Sequence, residues 1–472
     1  MAGRAEISRV ALLYSKLCSS GVRLTDGWLL PRSRVELQRS VSDVDDNRSR
    51  ALRYALRLGD EECPQPSELP AAVSAVLHAP SGRHTARVVS LDATKPKPRW
   101  CLELWRAGAL IVRVDASKLH DKVLTDGTFG GFSWSRDELQ AVYIAEAKVP
   151  ESPSPFAASV AGSGGEAHDK EEAEAPGRAN WYREDWGEKL AGSDRLALFL
   201  VNFSEGTVRK LKGVAHDITP GQPVFWGDDV VYTGWQAGVR KLGAIFCSQR
   251  PSGLYLTPIG GSAAGEAPTH TCLTPEFWLA RCPRPAPQKG GAGTEESPAA
   301  GSVGASKGPL AFLGSLEGYD THQNCLELYL LEAAGGAPRC LVTATERPGQ
   351  DGFAGICTDT ALPRDCWAFG SIFLNTFSGA RQAVFRVAVE GGEAPARVAA
   401  PQGADRDASL NLLAASERGL LLAWSTPCRP ANAFVRQADG ADKDVSLPPM
   451  GPCAVVADIA GGADIVEGLK WR

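Results

Sequence analysis

The chain has 472 residues, enough for roughly two to four ordinary domains or for one large repeat architecture. Its 50 basic and 55 acidic residues give a formal net charge of −5, which argues against a general nucleic-acid or anionic-membrane binder. Glycine (50) and proline (32) make up about 17% of the residues, against about 12% in average proteins. This composition favours turns and short strands, so we expect an all-β fold.

The N-terminal segment predicts one short helix and no membrane signal. Four apolar residues recur at three- and four-residue steps and would form one stripe on that helix: Ile7, Val10, Leu13 and Leu17. Charged residues interrupt this segment, and no 18-residue apolar run follows it. We therefore predict a cytoplasmic protein with a helical segment at residues 1–24 and one β domain at residues 25–460.

Two stretches interrupt the β pattern, residues 151–179 and residues 283–308. Both are poor in aromatic and β-branched residues, so they cannot bury enough apolar surface to offset the entropy lost on ordering. The same strand pattern resumes beyond each of them. We interpret them as solvated insertions within one domain.

A repeating strand–turn–strand pattern is the most informative feature of the β domain. Four apolar hairpins have glycine in the turn, at Gly206, Gly261, Gly336 and Gly392. They recur about every 50 to 55 residues once the second insertion is removed. A second, aromatic hairpin precedes such repeats, starting at Gly130, Pro223 and Cys366.

Two hairpins per repeat give four antiparallel strands, which is typical of a β-propeller blade. Residues 25–460 then accommodate about seven blades. We therefore predict a seven-bladed β-propeller with a short N-terminal helix. Two unrelated β-sandwiches would also fit the alternation, but they would leave the common period unexplained.

Several motifs resemble those of the acylaminoacyl-peptidases (acylpeptide hydrolases), a family of the prolyl-oligopeptidase group. They stand in the family's order and near its spacing, and the resemblance weakens but continues through residues 353–377 and 423–435. The motifs are FGGFSWSRD (129–137), YREDWGE (182–188), VVYTGW (230–235) and LGAIFCSQRPSGLYL (242–256).

The resemblance implies a propeller that covers a C-terminal α/β-hydrolase domain, which removes N-acylated amino acids from blocked peptides with a serine, a histidine and an aspartate. Residues 461–472 correspond to the crossover towards that domain, so we expect the hydrolase domain to be missing here. The resemblance thus implies a non-catalytic, substrate-gating propeller with two partners: the hydrolase domain and short N-acylated peptides. A free-standing propeller that serves as a protein-interaction platform is the alternative.

A complete hydrolase would need a nucleophile that the sequence does not show. The string Gly304 to Gly308 fits G-x-S-x-G around Ser306, but it lies in the second insertion, with no strand before it and no helix after it. The seven histidines are dispersed, and no phosphate-binding or dinucleotide-binding glycine motif occurs. We expect no catalytic residue, no cofactor and no metal site.

The twelve cysteines contain no CxxC pair and lie far apart. Without nearby histidines they cannot complete a zinc site, so we interpret them as reduced, mostly buried thiols.

A face made to contact a second domain would be partly apolar, which predicts self-association of the isolated chain.

The acidic and aromatic segment of residues 181–188 is the candidate site for a role other than packing. In a structural interpretation, Trp186 packs between blades while Glu184 and Asp185 cap turns or pair with basic residues. In a functional interpretation, Glu184, Asp185 and Trp186 line the tunnel or the face towards the hydrolase domain and affect peptide entry.

Overall fold

The computed structural model describes most of the chain between Val22 and Val445. The predicted N-terminal helix, the insertion at residues 151–179 and the predicted crossover at residues 461–472 lie outside the described residues. The described residues are 22–43, 46–60, 65–92, 98–125, 127–148, 182, 184–238, 240–241, 243–244, 246–259, 270–287, 307–318, 324–345, 347–349, 353–357, 361–404, 408–426 and 429–445.

The expectation of an all-β fold is confirmed. The described residues form strands β1 to β30, and their one helical element is a single 3-10 turn at Glu188–Leu190. The strands form six hydrogen-bonded sheets, in which all strand pairs but one are antiparallel. We number these sheets in chain order.

Sheets 1 to 3 contain the first thirteen strands. Sheet 1 is β1 (Val22–Leu30), β2 (Arg34–Asp43), β3 (Arg48–Arg57) and β4 (Ser67–Glu68). Sheet 2 is β5 (Val73–His78), β6 (His84–Leu91), β7 (Arg99–Arg106) and β8 (Ala109–Asp115). Sheet 3 is β9 (His120–Leu124), β10 (Phe132–Trp134), β11 (Gln140–Ala147), β12 (Leu196–Asn202) and β13 (Thr207–Lys210), with both β9 and β10 paired to β11.

Sheet 4 is the largest and has two parts, which we call units 4a and 4b. Unit 4a is β14 (Ile218–Trp226), β15 (Asp229–Gln236), β16 (Ser252–Pro258) and β17 (Thr271–Cys272). Unit 4b is β18 (Leu279–Pro285), β19 (Leu310–Ser315), β20 (Cys325–Leu331), β21 (Arg339–Val342) and β22 (Ile356–Cys357). The parallel pair Ser252 and Leu279 joins the two units.

Sheets 5 and 6 complete the described chain. Sheet 5 is β23 (Trp367–Ala368), β24 (Ser371–Ser378), β25 (Arg381–Ala388) and β26 (Ala396–Arg397). Sheet 6 is β27 (Ser409–Ser416), β28 (Gly419–Thr426), β29 (Arg429–Arg436) and β30 (Asp442–Val445).

Three of the four predicted glycine hairpins are confirmed. Gly206 lies in the turn between β12 and β13, Gly336 in the turn between β20 and β21, and Gly392 in the turn between β25 and β26. Gly206 and Gly392 have φ angles of 67° and 64°, a left-handed conformation that glycine adopts without steric cost. Gly261 lies outside the described residues. The aromatic hairpins are the pairs β10–β11, β14–β15 and β23–β24.

The second predicted insertion starts later than residue 283. Residues 283–285 belong to β18, whose pairing with β19 resumes at Arg284 after a bulge that includes Cys282, with a φ of 57°. A proline at position 283 is compatible with a strand there, because a bulged residue leaves a ladder position unpaired. At the other end, Gly308 accepts a hydrogen bond from Trp226 Nε1 at 2.6 Å.

Apolar clusters join the sheets in a fixed order. They lie between sheets 2 and 3, sheet 3 and unit 4a, units 4a and 4b, unit 4b and sheet 5, sheets 5 and 6, and sheets 6 and 1. Each fully buried large side chain in such a cluster contributes about 1.5 to 3 kcal/mol relative to exposure. Burial of this kind therefore accounts for most of the stability of the junctions.

Each sheet is built from one contiguous stretch of chain, so the first and last sheets share no described strand. These two sheets therefore contact each other through side chains. Leu37 of sheet 1 and Leu421 of sheet 6 share a core. A Cβ atom added at Gly27 would lie 2.8 Å from Leu421 Cδ2, so the two sheets approach as closely as glycine permits. Arg364, just before β23, donates a hydrogen bond to Gly27 O at 3.4 Å.

Alternating strand direction gives each sheet two distinct ends. The turns between first and second strands lie at one end, which we call the turn end, and the connections between second and third strands lie at the other, the loop end. Carboxylates link neighbouring sheets at the turn end. Glu138 accepts the Ser81 N–H at 2.7 Å, and Glu417 accepts the Phe369 N–H at 2.9 Å.

Candidate functional site

The acidic and aromatic segment lies at the loop end, in the connection between β11 and β12. Its central side chain, Trp186, is 1% exposed and belongs to the core shared by sheet 3 and unit 4a. The indole packs against Phe129 at a ring distance of 4.7 Å, and the cationic groups of Lys241 and Arg250 lie 5.9 and 5.6 Å from its ring centre. Trp186 therefore anchors this segment to unit 4a.

The carboxylates of Asp185 and Glu184 accept backbone hydrogen bonds. Asp185 accepts the N–H of Gly187 at 2.9 Å and the N–H of Gly192 at 2.6 Å, so it holds the turn that precedes β12. Glu184 accepts the N–H of Lys241 at 3.3 Å and remains half-buried.

The structure thus brings the three predicted residues together at the junction of sheet 3 with unit 4a. The neighbouring Tyr182 is 88% exposed. The segment therefore combines a buried anchor, Trp186, with an aromatic ring that faces solvent. Its gating role stays a prediction.

A second polar cluster, which sequence reasoning missed, lies between sheets 1 and 2. Glu36 accepts hydrogen bonds from Arg34 at 2.9 Å and from Arg53, and His78 Nε2 lies 3.0 Å from the same carboxylate. Arg53 Nη2 also lies 2.6 Å from His78 Nε2. The cluster is buried: the side chains of Glu36 and Arg53 are each 10% exposed, and that of His78 is 5% exposed.

The charges in this cluster stabilise the ionised carboxylate. Burial alone would raise the pKa of Glu36, but the contact with His78 and the charges of Arg53 and Arg34 outweigh burial and hold it at about 2. Burial lowers the pKa of His78, which favours a neutral imidazole that donates its Nε2–H to Glu36 and accepts from Thr85 Oγ1 at Nδ1. The guanidinium groups therefore supply the positive charge.

The other buried histidines have packing partners. His120 Nε2 lies 2.8 Å from the Tyr143 hydroxyl, and His270 Nδ1 lies 2.7 Å from the Tyr232 hydroxyl. Burial lowers the pKa of both imidazoles, which favours neutral rings in hydrogen-bonded aromatic contacts. Neither contact contains a nucleophile of the serine or cysteine type.

The sequence expectations about chemistry are tested only over part of the chain. Ser306 lies outside the described residues. Within the described ranges, no group of three or more His, Cys, Asp or Glu side chains is placed to hold a metal ion. Among the residues described, no helix is long and apolar enough to cross a bilayer.

The expectation of mostly buried cysteines is wrong for the described part of the chain. Of the eight described cysteines, Cys101, Cys282 and Cys366 are buried, four are half-buried and Cys340 is exposed. Cys340 lies on β21, which borders the more exposed edge of unit 4b. Burial of a cysteine here depends on its strand position, which composition does not report.

Comparison with known proteins identifies the relationship. Residues 59–274 match the family model described as "Acylamino-acid-releasing enzyme, N-terminal domain". The acylamino-acid-releasing enzyme of Homo sapiens is 27% identical over 383 residues, covering 78% of this chain and 48% of that protein. The enzyme of Arabidopsis thaliana is 31% identical over 239 residues, covering 47% of this chain and 30% of that protein.

A solved structure shows the same fold at low sequence identity. The acylaminoacyl peptidase of Pyrococcus horikoshii superposes with a TM-score of 0.52 at 10% identity, covering 94% of this chain and 55% of that chain. The chain spans at most about half the length of the curated relatives it matches.

Proposed function

We propose that this chain, which contains the N-terminal propeller portion of the acylamino-acid-releasing enzyme family, is the non-catalytic part that controls substrate entry to a serine hydrolase domain. The observation that carries the proposal is the family match over residues 59–274, joined to an all-β fold that superposes on an acylaminoacyl peptidase. The substrates would be short peptides with an acylated N-terminal residue.

We infer further that the sheets close into a seven-bladed ring. Sheets 1, 2, 3, 5 and 6 and units 4a and 4b make seven four-stranded units, counting β9 with β10 as one interrupted strand and leaving the short β22 aside. Each unit contacts the next in chain order, and sheet 6 shares a core with sheet 1. Two unrelated sandwiches would not require contact between the first and last sheets.

Polar links support the same order around the ring. Gln222, at a bulge of β14, donates its N–H to Phe129 O at 3.0 Å and accepts the Cys282 N–H at 2.9 Å. It thereby ties sheet 3, unit 4a and unit 4b together. Asn375 of sheet 5 pairs with both backbone groups of Leu412 in sheet 6, at 2.8 and 3.2 Å.

A ring of this kind would select substrates by size, because its channel and seams limit what reaches the hydrolase domain. We propose that the segment around Trp186 contributes at the loop end. There, Trp186 anchors the segment while Glu184 and Asp185 hold its turns, and the exposed Tyr182 faces the hydrolase domain or the incoming peptide.

The test is a chimaera in which this chain replaces the propeller portion of the human relative. We expect the chimaera to release acetyl-alanine from acetyl-alanyl p-nitroanilide and to reject a long, unfolded, N-acetylated polypeptide. The isolated hydrolase domain should discriminate less between the two substrates. The ratio of the two turnover rates measures gating directly.

A seam variant sharpens this test. Gly27→Val pushes sheet 1 away from sheet 6, and it should raise turnover of the long substrate more than turnover of the short one. Gly238→Val is the matched control, because a Cβ atom at Gly238 meets none of the described atoms within 4 Å. A folded, active chimaera with no size discrimination would contradict gating, and failure to bind the hydrolase domain at all would favour a free-standing interaction platform.

A further inference from the structure

The junction between sheets 1 and 2 differs from the other six. Apolar clusters fill those six junctions, whereas this one contains buried ionisable side chains within the described part of the chain. Glu36, Arg53 and His78 lie at its centre, next to the buried Trp28. Buried charges cost free energy compared with well-packed apolar side chains, so packing alone does not explain why charged side chains occupy this junction.

A cavity of about 210 Å³ opens beside the cluster at the turn end. Its walls come from both sheets, and its charged and aromatic lining includes Arg34, Glu36, Arg53, Arg83, Arg87 and Trp105. The cavity is smaller than the roughly 300 to 1,000 Å³ of ordinary cofactor and drug sites. It is suited to a small ion or to one functional group of a larger molecule.

Arg87 stacks on Trp105 in the cavity wall and forms no ion pair with a carboxylate of the described residues. Its guanidinium carbon lies 4.1 Å from the centre of the Trp105 ring, and Trp105 Nε1 donates to Glu103 at 2.7 Å. Glu103 in turn accepts from Arg113 at 2.8 Å, so its charge is already matched. In the described ranges, the buried Arg87 Nε has no hydrogen-bond partner.

Arg53 also has a donor to spare. Its terminal nitrogen is shared between Glu36 and His78, but its buried Nε has no partner among the described residues. Arg53 and Arg87 lie close enough for the charge of Arg87 to lower the pKa of Arg53, an effect that adds to the larger one of burial. Two guanidinium groups thus repel each other across one cavity.

The lining carries an excess of positive charge. Glu36 is the one carboxylate in the lining, which also contains three guanidinium groups, those of Arg34, Arg53 and Arg87. The lowered pKa of His78 favours its neutral form. These four groups of the lining therefore carry about two more positive than negative charges, and low-dielectric walls strengthen the attraction of the site for an anion.

We propose that this cavity binds a small dianionic oxyanion of the phosphate type. Guanidinium groups recognise such anions by paired N–H donors, and a dianion would offset the charge left by Glu36. The anion would bridge Arg87 of sheet 2 to Arg34 and Arg53 of sheet 1. Binding would consequently stabilise the junction that has no apolar cluster.

Titration of the whole chain with inorganic phosphate at pH 7.5 and constant ionic strength tests the site. Phosphorus NMR or calorimetry should show saturable binding to one site, and sulfate should compete whereas acetate should not. Equal competition by acetate would overturn the assignment of a dianion. Glycerol 3-phosphate run in parallel separates the free ion from a phosphate group on an organic molecule, and tighter binding identifies the latter.

Arginine variants decide whether the cavity is the site. Arg87→Gln and Arg34→Gln should each weaken phosphate binding at least about tenfold. Arg48→Gln, which removes a 52% exposed arginine from the same sheet outside the cavity, should change it less than about twofold. If Arg87→Gln fails to fold, Arg34→Gln decides, since the Arg34 side chain is 42% exposed. Equal weakening by Arg48→Gln, or no saturable binding by the folded parent, overturns the proposal.

Discussion

The carboxylate of Glu36 should make the protein measurably less stable in acid. Its pKa lies at about 2 in the folded chain against 4.5 without these contacts. At about 1.4 kcal/mol per pH unit, the difference corresponds to about 3 kcal/mol of folding free energy. Because the folded pKa is lowered, this stability is present above about pH 4.5 and is lost as the pH falls towards 2.

Urea unfolding of the parent and of Glu36→Gln measures this contribution. At pH 7 the variant should be less stable by about 3 kcal/mol, because Arg53 then lacks its charge partner. At pH 3.5 the gap should narrow to about 2 kcal/mol, since the carboxyl of the unfolded parent is mostly protonated there.

Glu68→Gln is the matched control in the same sheet. Glu68 forms a 3.5 Å pair with Arg50, and both side chains are exposed, at 48% and 39%. Its loss should change stability by less than about 1 kcal/mol. A gap between Glu36→Gln and the parent that is small at pH 7, or that does not narrow in acid, would refute the reasoning about the buried cluster.

Three further predictions concern packing and charge elsewhere. Trp186→Ala should lower the free energy of unfolding by about 3 to 5 kcal/mol, because it removes a buried ring. Trp186→Phe should cost much less, because it keeps most of the ring and removes an indole N–H that has no partner in the described chain. Similar costs for the two variants would contradict this. Gly27→Val should lower the unfolding midpoint, because a Cβ atom there lies 2.8 Å from a leucine methyl group. Gly238→Val should leave the midpoint nearly unchanged. A Gly27→Val variant as stable as the parent would mean that the first and last sheets do not pack as described. Burial, the largest influence, raises the pKa of Glu146 to about 8. The contribution of Glu146 to stability is therefore most favourable below about pH 4.5 and is lost as the pH rises through 8. Glu146→Gln should reduce this loss of stability with pH, and an unchanged pH profile would contradict the assignment.

Local patterns in the sequence account for the hairpins. The turns at Gly206 and Gly392 join strands only a few residues apart, so glycine and alternating apolar residues were sufficient to predict them. The acidic and aromatic segment could also be recognised from neighbouring residues in the sequence. Its structural interpretation agrees with the burial of Trp186 and the turn held by Asp185.

The cluster around Glu36 could not be predicted in this way. The pairing of β2 with β3 brings Arg53 beside Glu36, which lies 17 residues earlier in the chain. His78 lies 25 residues from Arg53, and only the packing of sheet 2 on sheet 1 adds it to the cluster. No local signal was present, because Arg34, Glu36 and Gln38 alternate with Val35 and Leu37 as polar residues do on the solvent face of an ordinary strand.

The contiguous construction of each sheet has a consequence for synthesis on the ribosome. Every sheet consists of neighbouring stretches of chain, so its hydrogen bonds can form as soon as those residues emerge. Contacts between the first and last sheets are different: Leu37 of sheet 1 packs with Leu421 of sheet 6, which is made 384 residues later. Until the final strands are made, the apolar edge of sheet 1 has no packing partner. The nascent protein must therefore remain soluble while that surface is exposed to water.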